Sequence, residues 1–346
     1  MANLRTNKLV GIGSTDAGVV FDGPIKINTQ GVMYFPTGDT SQRGRGVGLY
    51  AGGATPSATA QIASIQIQST GDVVDWGDLS VARFAPGSGA SSTRGVWSGG
   101  ATPTRLNTID YVTIATTGTA KDFGDATTLK YVPAGASNST RFLNAGGNTS
   151  PGGSMTNTID LTTIATVGNA TDFGDLNATT AGLPGGASTT RAVWAGGWTD
   201  EPGYTTINTI QYVTIATTGN TSDFGDMTIA RKWHAGGSSQ TRMVMMGGYG
   251  SASPGWTELN TIDFVEIATT GNATDFGDIT VGVADRGAMM SNSIRGVAAG
   301  GYISPAATNH IHYVTIATTG NAADFGDCVQ AVYSACGLSD SHGGLS

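Results

Sequence analysis

The residues of this chain that could carry out chemistry are few, and most of them belong to one repeated motif. Asp-Phe-Gly, whose aspartate holds magnesium in protein kinases, occurs five times. A kinase needs this motif once, together with a His-Arg-Asp loop that the sequence lacks. We therefore interpret it as a turn in which Phe packs between sheets and the aspartates accept hydrogen bonds from turn amides. A calcium-binding rim is the alternative.

Other candidates for metal binding or catalysis are isolated. His310 and His312 share one face of a predicted strand, a spacing that zinc could use, but they occur in a single repeat. Cys328 and Cys336 are expected to be reduced and buried. No pattern combines a nucleophile with a base and an orienting group. We expect no catalytic residue, no bound metal and no cofactor, and hence no enzyme.

Charge and hydropathy exclude two classes of partner. The 346 residues carry a formal net charge of −8, with 17 Lys and Arg residues and no basic cluster beyond Arg43 and Arg45. We therefore expect no binding to nucleic acid. No run of 18 apolar residues occurs, so no membrane insertion is expected. A hydrophobic content of 39% indicates a folded protein, and the 53 glycines predict many turns.

A unit of about 50 residues recurs six times and sets the architecture. Each unit contains Gly-Gly, a variable loop, and a segment close to Asn-Thr-Ile-Asp-Tyr-Val-Thr-Ile-Ala-Thr-Thr-Gly-Asn-Ala-Thr-Asp-Phe-Gly-Asp. Apolar and polar residues alternate in Tyr-Val-Thr-Ile, and β-branched residues fill the unit, which favours strands. The units end at Asp78, Asp125, Asp175, Asp226, Asp278 and Asp327.

Each unit is expected to form four short strands. In the third unit they would span residues 130–136, 141–147, 158–165 and 169–175, with Gly-Asn as the hairpin turn before the last strand. Four antiparallel strands per unit make one blade of a β-propeller. We predict an all-β fold, a six-bladed β-propeller of four-stranded antiparallel blades over residues 45–346. A short N-terminal arm, residues 1–44, would precede it.

The closure of this propeller is predicted from its two ends. The repeats begin at a second strand, residues 46–53, and end on a lone first strand, residues 329–337. The C-terminal strand should therefore join three N-terminal strands and remove an open sheet edge. The repeated Arg that lies five residues before Gly-Gly is expected to pair with an aspartate of a neighbouring blade. In the first blade Val47 occupies its position.

The repeats resemble a known family. Gly-Gly ends the second strand, an aromatic residue lies in the third, and Trp76 or a Phe lies in the fourth, as in kelch repeats. The third-strand aromatic is missing at Ser64 and Leu161. The resemblance covers most of the chain and implies a kelch-like six-bladed propeller.

The loops between the second and third strands vary most and are longest in the third to fifth units. Aromatic residues on variable loops over a rigid scaffold are typical of recognition surfaces. The alternative is that these rings cover neighbouring blade tips. The residues expected to bind a ligand or partner are Trp198, Tyr204, Tyr249, Trp256 and Tyr302.

A second resemblance concerns the N-terminus and the repeat. The opening Met-Ala-Asn-Leu-Arg-Thr-Asn-Lys and the following Val-Phe-Asp-Gly resemble the start of virion structural proteins of tailed phages, especially cyanophage-like ones. The Thr-Ile-Asp-Tyr-Val-Thr-Ile array is similar to repeats of the same group. The resemblance implies a virion location, as a tail, fibre-associated or decoration protein that is oligomeric within the particle.

In that setting, residues 1–44 would dock on other virion proteins. The propeller would then present its aromatic loops to host-surface polysaccharide for host attachment. Two alternatives stay open at this point: a capsid decoration protein without receptor binding, and a kelch-like adaptor for protein–protein interaction.

Overall fold

The computed structural model describes residues 46–200, 204–252, 255–280 and 287–345, and every regular element in these ranges is a β-strand. The all-β prediction is therefore confirmed for the described chain. The predicted arm, residues 1–44, lies outside the described residues. Within the described ranges we find no helix long and apolar enough to cross a membrane.

Six antiparallel sheets make up the described chain, an architecture consistent with a β-propeller. We number the sheets 1 to 6 along the chain. The strands, from first to fourth, are Cys336–Ser339, Val47–Ala51, Gln61–Gln66 and Val74–Asp78 in sheet 1; Gly87–Ala90, Arg94–Ser98, Thr104–Thr113 and Lys121–Lys130 in sheet 2; Ala134–Ser137, Arg141–Ala145, Thr158–Thr163 and Thr171–Asp175 in sheet 3; Gly185–Ala187, Arg191–Ala195, Thr209–Thr214 and Ser222–Asp226 in sheet 4; Ala235–Ser238, Arg242–Met246, Thr261–Glu266 and Thr274–Asp278 in sheet 5; Ala288–Ser291, Arg295–Ala299, His310–Thr315 and Ala323–Asp327 in sheet 6.

Short strands also lie in the loops and connections between the main strands. They are Ala101–Thr102, Trp198–Thr199 with Thr205–Thr206, Arg231–Lys232 with Tyr249–Ala252 and Gly255–Glu258, and Tyr302–Ile303 with Ala306–Ala307.

Sheet 1 joins two segments that are far apart in sequence. Val47–Ala51 pairs antiparallel with Cys336–Ser339, so that Leu49 lies opposite Leu338. On its other side Val47–Ala51 pairs with Gln61–Gln66. The predicted bounds of the late strand, residues 329–337, are wrong, because the strand begins at Cys336.

The first strands are rich in Gly and Ala because they approach one another closely. Each first strand contacts the first strands of two other sheets. A Cβ atom on Gly135 would lie 1.9 Å from the carbonyl oxygen of Ser88, and one on Gly337 would lie 2.6 Å from that of Met289. These positions therefore exclude any larger residue.

Apolar side chains pack between the sheets. A buried apolar cluster lies between each sheet and the next, and another lies between sheets 6 and 1. Between sheets 3 and 4, Phe173 packs with Trp194 and Val213. The Phe of Asp-Phe-Gly thus packs between sheets, as the sequence predicts.

The Gly-Gly pairs recur because both glycines have left-handed backbone conformations. Gly99 has φ of 72° and Gly100 has φ of 96°. A Cβ on Gly99 would lie 2.6 Å from the carbonyl oxygen of Lys130, which accepts a hydrogen bond from the Gly100 amide at 2.8 Å. This pair ends the second strand and anchors the connection that leads to the next sheet.

The repeated arginines link neighbouring sheets, but not through aspartate as predicted. Each guanidinium donates to a main-chain carbonyl just past the third strand of the following sheet, and four of the five stack on the aromatic ring of their own third strand. The prediction was wrong because this carbonyl lies within reach of every guanidinium. Arg242 also pairs with a carboxylate, that of Glu266, but this residue belongs to its own sheet. The links are Arg94 to Ile164, Arg141 to Ile215, Arg191 to Ile267, Arg242 to Ile316 and Arg295 to Ile67.

The Gly-Asn pairs also link sheets, and interpreting them as hairpin turns was wrong. In sheet 3 the reverse turn is formed earlier, where the Thr166 amide donates to the carbonyl of Thr163. Gly168 then donates to the carbonyl of Phe123 in sheet 2, and the Asn169 side chain accepts from the Asp125 amide at 3.0 Å. The closing Asp of the motif therefore contributes its amide to this link.

Buried ion pairs stabilise three of the connections between sheets. Lys130 ends the fourth strand of sheet 2 and pairs with Asp160 at 3.1 Å, both fully buried, so the first strand begins at Ala134 instead of residue 130. Arg231 pairs with Asp263 at 3.0 Å, and Arg83 pairs with Asp110. Burial lowers the pKa of all three cationic side chains, while the paired aspartates oppose that shift.

Candidate functional site

The structure brings three of the five predicted binding residues together. Trp198, Tyr249 and Trp256 lie close to two residues that the sequence analysis did not select, Lys232 and Trp233. We call these five residues the aromatic patch. Trp198 comes from the loop of sheet 4, Lys232 and Trp233 from the connection between sheets 4 and 5, and the other two from the loop of sheet 5.

Trp233 meets Trp198 and Tyr249 edge to face, and the Lys232 ammonium lies against the three indole rings of the aromatic patch. The centroid of Trp233 lies 5.3 Å from that of Trp198 and 5.7 Å from that of Tyr249, both T-shaped. The Lys232 Nζ atom lies 3.5 Å from the ring centroid of Trp256, 4.4 Å from that of Trp233 and 5.1 Å from that of Trp198. Such contacts are attractive through the negative potential of the ring faces.

A small sheet in the sheet 5 loop produces this arrangement. Arg231–Lys232 pairs with Tyr249–Ala252, which forms a hairpin with Gly255–Glu258. Lys232 lies opposite Tyr249, and Tyr249 lies opposite Glu258. Because side chains alternate along a strand, Trp256 is on the same face as Lys232. The insertion is thus long enough to form a second hairpin above the main sheet.

The exposure of the predicted residues differs widely. Trp256 is 47% exposed and Tyr204 is 52% exposed, which leaves part of each ring free for contact with a partner. Trp198 is only 7% exposed, so its assignment to an exposed recognition surface was wrong. It packs instead with Ala181 and Met155 beside Trp233.

Tyr204 and Tyr302 lie outside the aromatic patch. The Tyr204 hydroxyl lies over the loop of sheet 3, where a Cβ on Gly153 would be 2.0 Å from it. Tyr302 is half-buried and packs T-shaped against Tyr333 at 5.6 Å. Both rings contact neighbouring segments, as in the alternative that the sequence left open, but half of the Tyr204 side chain stays exposed.

Lys232 and Trp233 were missed because they lie in a connection rather than in a variable loop. A signal was present in the sequence for Lys232, the sixth residue after its closing Asp. In three of the other five units this position holds an aromatic residue, namely Phe84, Tyr131 and Tyr333. Phe84 and Tyr131 pack edge to face at 5.4 Å. The connections therefore carry a second row of bulky side chains on the same side as the variable loops.

The connections also form a chain of main-chain hydrogen bonds from sheet to sheet. Ala85, Val132 and Trp233 all have left-handed φ, between 53° and 63°. The amide of Val132 donates to the carbonyl of Ala85, and that of Trp233 donates to the carbonyl of Gly182. Bulky residues with positive φ are unfavourable and persist where their surroundings fix them, often at functional sites.

A cavity of about 130 Å³ lies between the first strands and is lined in part by His342. His342 Nε2 donates to the Ala90 carbonyl at 2.9 Å, and its Nδ1 accepts from the Gly344 amide at 3.1 Å. Burial lowers the pKa of His342 to about 4, so this imidazole is neutral at pH 7. Trp233 lines the cavity as well as the aromatic patch.

Charged groups tie the loops together near the aromatic patch. Asp200 accepts hydrogen bonds from the Met155 amide at 3.0 Å and the Thr179 hydroxyl at 2.5 Å. Partial burial opposes ionisation of Asp200, but these hydrogen bonds outweigh it and lower its pKa. Glu258 accepts from the Ser304 amide at 2.8 Å. Each loop is therefore anchored on the loop of a neighbouring sheet.

The candidate metal ligands do not converge in the described part of the chain. No group of three or more His, Cys, Asp or Glu side chains is found among these residues. His310 is 53% exposed and 3.8 Å from Asp327, whereas His312 is buried. Cys328 and Cys336 are free, and Cys328 is buried.

Comparison with known protein families and with curated proteins gives no match. The architecture and the geometry of the aromatic patch therefore carry the functional argument.

Proposed function

We propose that the six sheets form one closed, kelch-like six-bladed β-propeller that acts as a recognition protein. Three observations support closure. Each first strand contacts two others, and the last sheet packs on the first. In addition, Arg295 of sheet 6 donates to the carbonyl of Ile67, just past the third strand of sheet 1. The pairing of Val47–Ala51 with Cys336–Ser339 would then hold the ring shut.

The ligand class that the geometry favours is a glycan. The observation that carries this proposal is the half-exposed Trp256 ring, held on an anchored hairpin over the Lys232 ammonium. A flat aromatic face that is fixed in place can stack on a sugar ring with little loss of side-chain entropy. Tyr204, also half-exposed, extends the surface over the next loop.

We further propose that the protein belongs to a phage particle, where residues 1–44 dock on other virion proteins and the propeller contacts host-surface polysaccharide. The resemblance of the opening segment and of the repeat to tailed-phage virion proteins supports this location. A capsid decoration role without receptor binding is the alternative. Mass spectrometry of purified phage particles tests the location, and loss of host adsorption in a Trp256→Ala phage separates attachment from decoration.

Binding itself is tested on the purified full-length chain with an immobilised panel of bacterial surface polysaccharides. Replacing Trp256 and Tyr204 by Ala should weaken the strongest signal at least tenfold, while the melting temperature changes little because both rings are half-exposed. Val167→Ala and Ile294→Ala are matched controls, since these side chains are also about half-exposed and lie in the opposite set of loops. Equal binding by all variants would contradict recognition by this surface.

A further inference from the structure

We propose that Lys232 is the positioning residue of the recognition surface, whose ammonium fixes the orientation of Trp256. The inference rests on the proposed function, since it explains how that function's exposed ring is held in place. Lys232 is 6% exposed, so the ammonium lies beneath the surface and is not itself the group presented to a partner.

The ammonium lies against indole rings from three segments of the chain. Trp198 belongs to the loop of sheet 4, Trp233 to the following connection, and Trp256 to the second hairpin of sheet 5. The Lys232 Nζ atom lies within 5.1 Å of all three ring centroids. The shortest distance, 3.5 Å, is to the most exposed of the three rings. The contact is therefore closest where the ring has the least packing from other groups.

This geometry gives Trp256 one covered face and leaves part of the ring exposed. An exposed tryptophan on a hairpin would otherwise sample several rotamers, and a ligand would have to select one of them. A cation beneath one face favours the rotamer that keeps the ring flat over the ammonium, and burial strengthens that attraction. Asp200 and Glu258 are committed to amide and hydroxyl donors in neighbouring loops, which fixes the hairpins on which the rings are mounted.

The test replaces Lys232 by Met, which keeps the length and apolar stem but removes the charge. We expect acrylamide quenching of Trp256 to rise about twofold relative to wild type. The contribution of Trp256 in Lys232→Met is the difference in quenching between this variant and the double variant Lys232→Met/Trp256→Phe. Binding to the polysaccharide that gives the strongest signal should fall about fivefold, the ratio that corresponds to a cation–π contact of about 1 kcal/mol on a half-exposed ring. Lys232→Arg keeps a cation and should restore both values.

A matched control is available on the same side of the molecule. Arg105, near the start of the third strand of sheet 2, stacks over Tyr131 in the following connection, with 5.7 Å to the ring centroid, and neither residue belongs to the aromatic patch. Arg105→Met should leave Trp256 quenching and polysaccharide binding unchanged. Circular dichroism establishes that the variants fold, and Lys232→Gln replaces Lys232→Met if the latter does not.

The outcomes separate the two proposals. If Trp256→Ala abolishes binding but Lys232→Met changes neither quenching nor binding, the positioning role is wrong and the recognition surface stands. If Lys232→Met raises quenching but neither variant affects binding, Lys232 positions the ring and the proposed function is wrong. If Arg fails to restore what Met removes, side-chain shape rather than charge holds the ring, which overturns the inference.

Discussion

The interface between sheets 1 and 2 differs from the other five interfaces of the described chain. At the others, an Arg donates to a carbonyl of the following sheet, and an Asn or Asp side chain accepts from the amide of a closing Asp. Between sheets 1 and 2 both links are missing, because Val47 replaces the Arg and Thr119 replaces the Asn. The aromatic residue that stacks on the Arg is absent there too, since its position holds Ser64.

The same interface keeps polar contacts near the first strands, as other interfaces also do. Trp97 Nε1 donates to the carbonyl of Cys336 at 3.1 Å, and Ser88 Oγ donates to that of Gly337 at 2.7 Å. Two main-chain bonds persist in the outer strands, from Gly118 to Trp76 and from Ala120 to Asp78. The first is 3.2 Å long, against 2.7 Å for the equivalent bond from Gly271 to Phe224. The comparison teaches that main-chain bonds and an apolar cluster can join two sheets without the side-chain links.

The largest expected effect comes from breaking the buried ion pair beside this interface. Arg83, in the connection between sheets 1 and 2, donates to Asp110 and to the carbonyls of Gly99 and Thr108. Asp110→Ala leaves a fully buried guanidinium without its counter-charge, which should cost about 3–5 kcal/mol of unfolding free energy. Urea denaturation monitored by tryptophan fluorescence measures it.

Asp263→Ala is the matched control, because it removes the partner of Arg231 between sheets 4 and 5, where both side-chain links are present. Asp263→Ala should lower the unfolding free energy by a similar amount. Hydrogen exchange should differ, since Asp110→Ala is expected to speed exchange of the Gly118 and Ala120 amides, whereas Asp263→Ala should leave those of Gly271 and Ala273 protected. Equal local exchange in the two variants would remove the distinction between the interfaces.

The sequence was sufficient to predict the repeating antiparallel sheets, because strand alternation and Gly-Gly are local properties of each unit. It was not sufficient to predict the links between sheets. Arg94 and Asn169 act on partners in another unit, so their acceptors and donors depend on how two sheets pack. Val47 was correctly singled out as an interruption, but Thr119 was not, because the role of Gly-Asn was assigned to a turn within one unit.

The candidate site could be predicted in part for the same reason. Trp256 and Tyr204 are exposed on variable loops as expected. Trp198 is buried because the connection that carries Trp233 passes beside it, and no local pattern shows that contact. Lys232 would count as an ordinary surface lysine in the sequence. Only the pairing of Arg231–Lys232 with Tyr249–Ala252 places it among three indole rings.

An intermediate loss of stability is expected when the pH is lowered, because His342 makes a partly buried contact near the first strands. His342 lies just after the first strand of sheet 1, and it donates to the carbonyl of Ala90 at the end of the first strand of sheet 2. Burial lowers its pKa from 6.5 to about 4, so the folded state favours the neutral form. The stability it provides is complete above pH 6.5 and is lost as the pH falls from 6.5 towards 4. The loss is at most about 3 kcal/mol.

His342→Gln should therefore reduce the difference in unfolding free energy between pH 7 and pH 4.5. Burial also lowers the pKa of His234 and His312, so the wild-type chain loses stability from those sites as well, and only the difference between variants reports on His342. His310→Gln serves as the control, since that side chain is 53% exposed. An identical acid dependence in wild type and His342→Gln would show that His342 does not contribute.

The smallest effect, and the most direct test of the comparison, is to install the missing link. In Thr119→Asn the new side chain should accept a hydrogen bond from the Asp78 amide, as Asn272 accepts from Asp226 at 3.0 Å. The expected gain is about 0.5–1.5 kcal/mol of unfolding free energy, the usual net value of one hydrogen bond. The reverse change, Asn272→Thr, should lower the unfolding free energy by a similar amount. It should leave hydrogen exchange at the interface between sheets 1 and 2 unchanged. Suppose that Thr119→Asn gives no gain while Asn272→Thr is destabilising. The longer bond from Gly118 to Trp76 then marks a spacing between sheets 1 and 2 that the asparagine cannot bridge. In that case the difference between the interfaces lies in the backbone rather than in two side chains.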